Sequence, residues 1–179
     1  WYNETLNTST RGARKEFPSV AVIVLESNKT VIYDGDDPDM PMWMTFTNPG
    51  AGSSYMVGEN SNKCVTMLNG NLGVGSNPHD FYLVNFIKDK GYQYSNNVLI
   101  SGTYKGDIST RNVSTVGWIF GTVPNIVGRA ISDVAMTVLP NAPIDADTGL
   151  PVPTIAVATN VGTSVITDSG NVYDISGFN

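Results

Sequence analysis

The stretch PSVAVIVLESNKTVIYD, Pro18 to Asp34, decides the reading of this chain. Its run Ser19 to Glu26 is dense in Val and Ile. Branching at Cβ restricts these side chains least in an extended backbone, so the run predicts a strand. Ser27, Asn28 and Lys29 supply a polar turn, and Thr30 to Asp34 returns as a second strand. The same order recurs near the other end, where PTIAVATNVGTSVITD starts at Pro153. Both segments begin with Pro, carry Ala at the third position after it, turn, and close with Val-Ile before an Asp. A weaker copy is CVTMLNGNLGVG, from Cys64, in which Asn69-Gly70 supplies the positive φ that a tight hairpin needs. This is an internal repeat of a strand-turn-strand unit.

Working outward, Met42 to Phe46, Asp80 to Phe86, Ser132 to Leu139 and the hairpin around Ser169-Gly170 also read as strands. A Pro-rich insert, PNAPIDADTGLPVP, separates two of them. No helix longer than a turn or two is expected, and Pro124 and Gly128 argue against the best candidate, VPNIVGRAISDV. The predicted fold class is all-β, with repeated antiparallel strand units arranged as β-propeller-like blades or part of a propeller. The alternative is a β-sandwich. Four to eight blades of about 40 residues each need more chain or more subunits, so a fragment of a longer protein is expected. On this expectation Ala21 and Ala156 occupy equivalent places in a tightly packed layer. Residues 1–17 lack periodicity and form a separate lead-in: a surface strand or loop, or an arm that docks on a neighbouring subunit. The repeated β domain is residues 18–179.

The acidic cluster Asp34, Asp36, Asp37 and Asp39 poses the sharpest chemical question. An EF-hand needs oxygen ligands at alternate positions and Gly at the sixth; here Pro38 holds the fifth position and Asp39 the sixth. The reading favours a turn in which Asp side chains bond their own backbone and Pro38 and Pro41 fix the path. An irregular Ca²⁺ loop is the alternative. Directly after it, Met42, Trp43, Met44 and Phe46 place apolar groups on both faces of a strand. Such a strand is buried on both sides, or one face meets another subunit. Cys64, the single cysteine, reads as a small buried hydrophobe and allows no internal disulfide. His79 lies in a loop with no G-x-S-x-G elbow to make it part of a triad. Asn3, Asn7, Asn28 and Asn112 begin N-x-S/T sequons, which matter only in a secreted chain. No catalytic, cofactor-binding or metal residue is assigned, and no cofactor is expected.

The 179 residues carry 10 basic and 16 acidic side chains, a net charge of −6, which disfavours a nucleic-acid partner. No stretch approaches the ~18 apolar residues of a membrane-crossing helix, so no membrane insertion is expected.

Two parts of the chain, Trp1 to Phe46 and Val113 to Ile175, resemble repeat-containing, β-propeller-like structural proteins of marine tailed bacteriophages. The shared pattern is the apolar strand of the AVAT type, the SVI strand, an acidic-Gly turn and a closing Val-x-Asp-Ile. The resemblance implies a non-enzymatic virion component of the tail, a fibre or the host-contact apparatus, located in the virion. Its partners would be other virion proteins or copies of itself. It transfers no catalytic residue. The alternative function is a polysaccharide-binding or polysaccharide-degrading host-recognition protein, with a bacterial surface glycan as partner. That alternative requires an open cleft where aromatics and carboxylates converge; a structural role requires the aromatics of the Met/Trp run to be buried.

Overall fold

A computed structural model describes residues 1–49, 54–58 and 61–177. Among these residues thirteen strands form three antiparallel sheets, each in sequence order. The first sheet holds β1 (Ala21–Glu26), β2 (Lys29–Asp34) and β3 (Met42–Thr47). The central sheet is a six-stranded meander: β4 (Asn62–Leu68), β5 (Asn71–Ser76), β6 (Phe81–Asn85), β7 (Lys90–Tyr94), β8 (Gly102–Tyr104) and β9 (Trp118–Phe120). The third sheet holds β10 (Ile131–Thr137), β11 (Thr154–Thr159), β12 (Gly162–Ile166) and β13 (Val172–Ser176). The only helical turn among the described residues is a 3₁₀ turn at Ile108–Thr110.

The all-β class is as the sequence predicts. The sheets, however, stack in a sandwich-like order, and none closes on itself. Strands β5 and β6 explain why. Leu72 faces Val84 and Val74 faces Tyr82 across the ladder, and all four enter the core shared with the first sheet. The residues between them alternate to the other face. There Phe81 and Leu83 enter a second core, with Ile131, Val134, Ile155, Val157 and Ile166 of the third sheet. Their ladder partners are Gly75 and Gly73. A Cβ at Gly75 would lie 2.5 Å from Cys64 Sγ and 2.5 Å from Ile131 Cγ2, and one at Gly73 would lie 2.9 Å from Met136 Cε. These glycines let β10 approach the central sheet closely.

The two Pro-initiated repeats are both hairpins with two-residue turns, Ser27-Asn28 and Asn160-Val161. Their inward faces differ. In the first, Ala21, Ile23 and Leu25 pack on the core and Val22 and Val24 are exposed. In the second, Ile155 and Val157 are core residues, so Ala156 stands on the opposite face. The expected equivalence of Ala21 and Ala156 therefore fails. A strand has a side-chain period of two, and an odd offset between repeats exchanges its faces. What the hairpins do share is a cross-strand Ile pair, Ile23–Ile32 and Ile155–Ile166. The Asn69-Gly70 turn has φ of +46° and +72°, as a tight hairpin turn requires.

The Met/Trp strand hides its two faces within its own chain. Ile32 opposes Met44 and Tyr33 opposes Met42, so Trp43 is the extra residue of a β-bulge. The bulge breaks the alternation and lets Trp43 join Met44 and Phe46 in the first core. No subunit is needed to cover it.

The lead-in residues 1–17 are likewise seated on the fold and do not stand off it as an arm. Thr45 N–H donates to the Thr10 carbonyl and Gly12 N–H to the Trp43 carbonyl, each at 2.9 Å, which extends the first sheet past β3. Gly12 is needed there, since a Cβ would lie 1.9 Å from the Met42 carbonyl oxygen. Trp1 and Phe17 pack edge-to-face against Trp43, with ring centroids 5.6 and 4.9 Å away.

Candidate functional site

The acidic loop is a clasp. Asp34 Oδ1 accepts the Asp36 N–H and Asp37 Oδ1 accepts the Asp39 N–H, the local turn bonds that its composition predicts. The remaining partner leaves no mark in the local sequence. Arg14 reaches from the lead-in and donates to Asp34 at 2.8 and 3.0 Å and to Asp36 at 2.7 Å. Asp36 also accepts the N–H groups of Ser19 and Val20. The Ser19 bond, then the Arg14 hydrogen bond, then the Val20 bond hold the Asp36 carboxyl below its ordinary range, and both carboxylates raise the Arg14 guanidinium. Among the described residues no three His, Cys, Asp or Glu side chains are grouped to hold a metal ion.

Behind the clasp lies a second polar assembly that sequence reading missed. Arg11 and Arg111 are both buried. Arg111 donates to both oxygens of Glu4 at 2.8 Å and to the carbonyls of Thr45, Thr10 and Ile108. Arg11 donates to the carbonyls of Trp43 and Lys15, and its guanidinium sits 4.6 Å from the Trp43 ring centroid. Burial, more than any neighbouring charge, pulls the Arg11 pKa down. Both arginines fasten the lead-in and the 3₁₀ turn to β3. They are structural, and nothing in their local sequence marks them as buried.

The other singled-out residues are placed apart. Cys64 is a free thiol on β4 beside the second core, and burial pushes its pKa up to about 11. His79 is half-buried in the β5–β6 turn. Its neighbour Asp80 is buried, accepting from Arg129 Nε at 2.9 Å and from Gln93 Nε2 at 2.8 Å, which ties the central sheet to the segment before β10. Asn112 donates to the Thr45 carbonyl and accepts the Thr47 N–H, so its amide works as an internal staple.

An open cleft of about 720 Å³ lies apart from these groups. It lies where the β4–β5 turn, the β6–β7 turn, the lead-in and the β10–β11 loop meet. Trp1, Tyr2, Phe17, Phe86, Ile87 and Leu150 supply apolar surface, and Asp89, Asp147 and Thr148 supply polar groups. Asp89 is held by its own turn at φ +53°; it accepts the Ile108 N–H at 3.0 Å and receives the Trp1 main-chain nitrogen at 2.9 Å. Trp1 Nε1 donates to the Phe86 carbonyl at 2.7 Å. The far wall is the Pro-rich insert, folded around Asp145, whose Oδ1 accepts from Asp147 and Thr148. Asn69 pins that loop by donating to the Pro151 carbonyl at 2.8 Å. Among the described residues the Asp147 carboxylate itself has no partner. The acidic loop at Asp34–Asp39 takes no part in this cleft.

No protein-family model, no curated protein and no solved structure was found to match this chain.

Proposed function

We propose that this chain is a non-enzymatic structural component of a tailed-bacteriophage virion, in the tail, a fibre or the host-contact apparatus. It works by contact with other virion proteins or with copies of itself. The observation that carries the reading is the state of two sheet edges. Strand β9 ends the central sheet and exposes Ile119 and Phe120 to 52% and 48%; β13 ends the third sheet and exposes Tyr173 and Ile175 to 62% and 50%. Neither strand carries the Lys or Pro that blunts an edge. Such an edge accepts a further strand through main-chain hydrogen bonds, with the exposed side chains setting the partner. The virion assignment draws on the resemblance of the Trp1–Phe46 and Val113–Ile175 stretches.

Light scattering behind size exclusion tests the contact. Phe120→Lys and Tyr173→Lys are expected to leave the melt intact and remove self-association or capture of virion proteins. A wild-type chain that stays monomeric and binds nothing in disrupted particles would overturn it. Antibody labelling of purified particles tests the location. A second reading, a polysaccharide-binding or polysaccharide-degrading host-recognition protein, is favoured by the aromatic cleft beside Asp89 and Asp147. Binding to, or cleavage of, bacterial surface polysaccharide would select it.

A further inference from the structure

We propose that the cleft under the β10–β11 loop binds a small organic cation: an ammonium group carried on an apolar ring or chain. Its volume of about 720 Å³ falls in the range of small-molecule sites. Its surface is mostly apolar, from Trp1, Phe17, Phe86 and Leu150, so the body of the ligand must be apolar too. The charge its walls leave unbalanced is negative, because the Trp1 main-chain ammonium pairs with Asp89 at 2.9 Å and Asp147 stands alone among the described residues. Two carboxylates line it, and no Lys, Arg or His side chain does. Asp89 is already held by the Ile108 and Trp1 nitrogens, but Asp147 on the opposite wall is unpartnered among the described residues. An anionic ligand would meet the unpaired Asp147 carboxylate and an overall charge of −6. A cation is attracted by Asp147 and by the negative faces of the aromatic rings. The rim already shows this chemistry once, since Lys15 Nζ sits 4.3 Å from the Tyr2 ring centroid. The inference stands apart from the virion reading.

The experiment titrates the full chain with three probes of one shape: phenethylammonium, 2-phenylethanol and phenylacetate. Binding is read by NMR shift changes at residues lining the cleft. Phenethylammonium is expected to saturate the site about three- to tenfold more tightly than the alcohol, and phenylacetate to bind weakest. Asp147→Asn, on an exposed loop, is expected to keep the melt and erase the preference for the cation. Asp133→Asn, outside the cleft, is expected to keep it. Raising the salt concentration is expected to shrink the preference, because the carboxylate is exposed. Glucosamine oligomers, run beside their N-acetylated forms, show whether a sugar supplies the ammonium. Equal affinity for phenethylammonium and 2-phenylethanol would overturn the proposal. So would a preference that survives Asp147→Asn, or the absence of saturable binding up to the solubility limit.

Discussion

Replacing Gly75 by Ala adds one methyl group where β10 crosses the central sheet. The new Cβ would meet Cys64 Sγ and Ile131 Cγ2, both at 2.5 Å, and Ile131 Cβ at 3.1 Å. These distances are too short for carbon or sulfur, so β10 must lift or Ile131 must leave its rotamer. Overpacking of this kind costs roughly 1–3 kcal/mol. Replacing Gly in a strand returns about 0.5–1 kcal/mol through the unfolded chain. The net cost is then roughly 0–2.5 kcal/mol, centred a little above 1, a fall of up to about 10 °C in Tm for a chain of this size. Thermal melts and urea midpoints measure it. A double-mutant cycle sharpens it, because Ile131→Ala removes the Cγ2 that the methyl strikes. Ile131→Ala should therefore cost less in the Gly75→Ala background than in wild type, with a coupling of about 0.5 kcal/mol or more. If Gly75→Ala melts above wild type, or the two changes are additive, then β10 does not lie on β5 as described.

Four further outcomes follow from the same geometry. Arg111→Ala removes the close partner of Glu4, leaving it only Arg11 Nε at 3.8 Å, and is expected to cost about 3 kcal/mol by urea unfolding; a change below 1 kcal/mol would show that the Glu4–Arg111 contact is not buried. A chelator of divalent ions is expected to leave Tm unchanged, while Arg14→Ala lowers it; a Tm that climbs with added Ca²⁺ would turn the Asp34–Asp39 clasp into an ion site. Asp36 has a folded pKa below its ordinary 3.8, so its contribution is fully present above that value and is lost as the pH falls through the lower, folded value; its NMR titration midpoint should rise in Arg14→Ala. Cys64 is expected to react with a disulfide reagent far more slowly than a free thiol at pH 8 and to speed up toward pH 11, whereas fast labelling at neutral pH would place it on the surface.

The strands were legible wherever composition alone set them. The runs from Ser19, Thr30, Met42, Cys64, Asp80, Ser132 and Thr154 all became strands, because branched and aromatic side chains bounded by Gly, Pro and Asn turns leave few other local choices. Strands β7, β8 and β9 were missed: KGYQY, GTY and WIF are too short or too polar to show a period, and pairing to their neighbours is what makes them strands. The placing of the sheets was not legible either. The repeat suggested equivalent units, yet a one-residue change of parity is invisible in composition and decides which face of Ile155 or Ala156 is buried. The clasp at Asp34–Asp39 was legible as a turn, but Arg14, twenty residues away from Asp34, was not, because contacts between distant residues leave no local mark. The cleft escaped for the same reason: its walls come from the lead-in, two central turns and the insert, and no single stretch holds both the rings and the carboxylates.

The two-faced central sheet also limits how this sequence can change in length. Along β5 and β6 the even-numbered residues Leu72, Val74, Tyr82 and Val84 serve one core, and Gly73, Gly75, Phe81 and Leu83 lie on the face of the other. Inserting or deleting one codon within either strand would thrust Phe or Tyr rings into the space the glycines leave for β10, and would empty the opposite core at the same stroke. The outer hairpins face water on one side and can absorb such a slip at lower cost. Gains and losses of residues in descendants of this sequence should therefore gather in the connections before β4, between β8 and β9, and between β10 and β11, leaving the span from Asn71 to Asn85 at constant length.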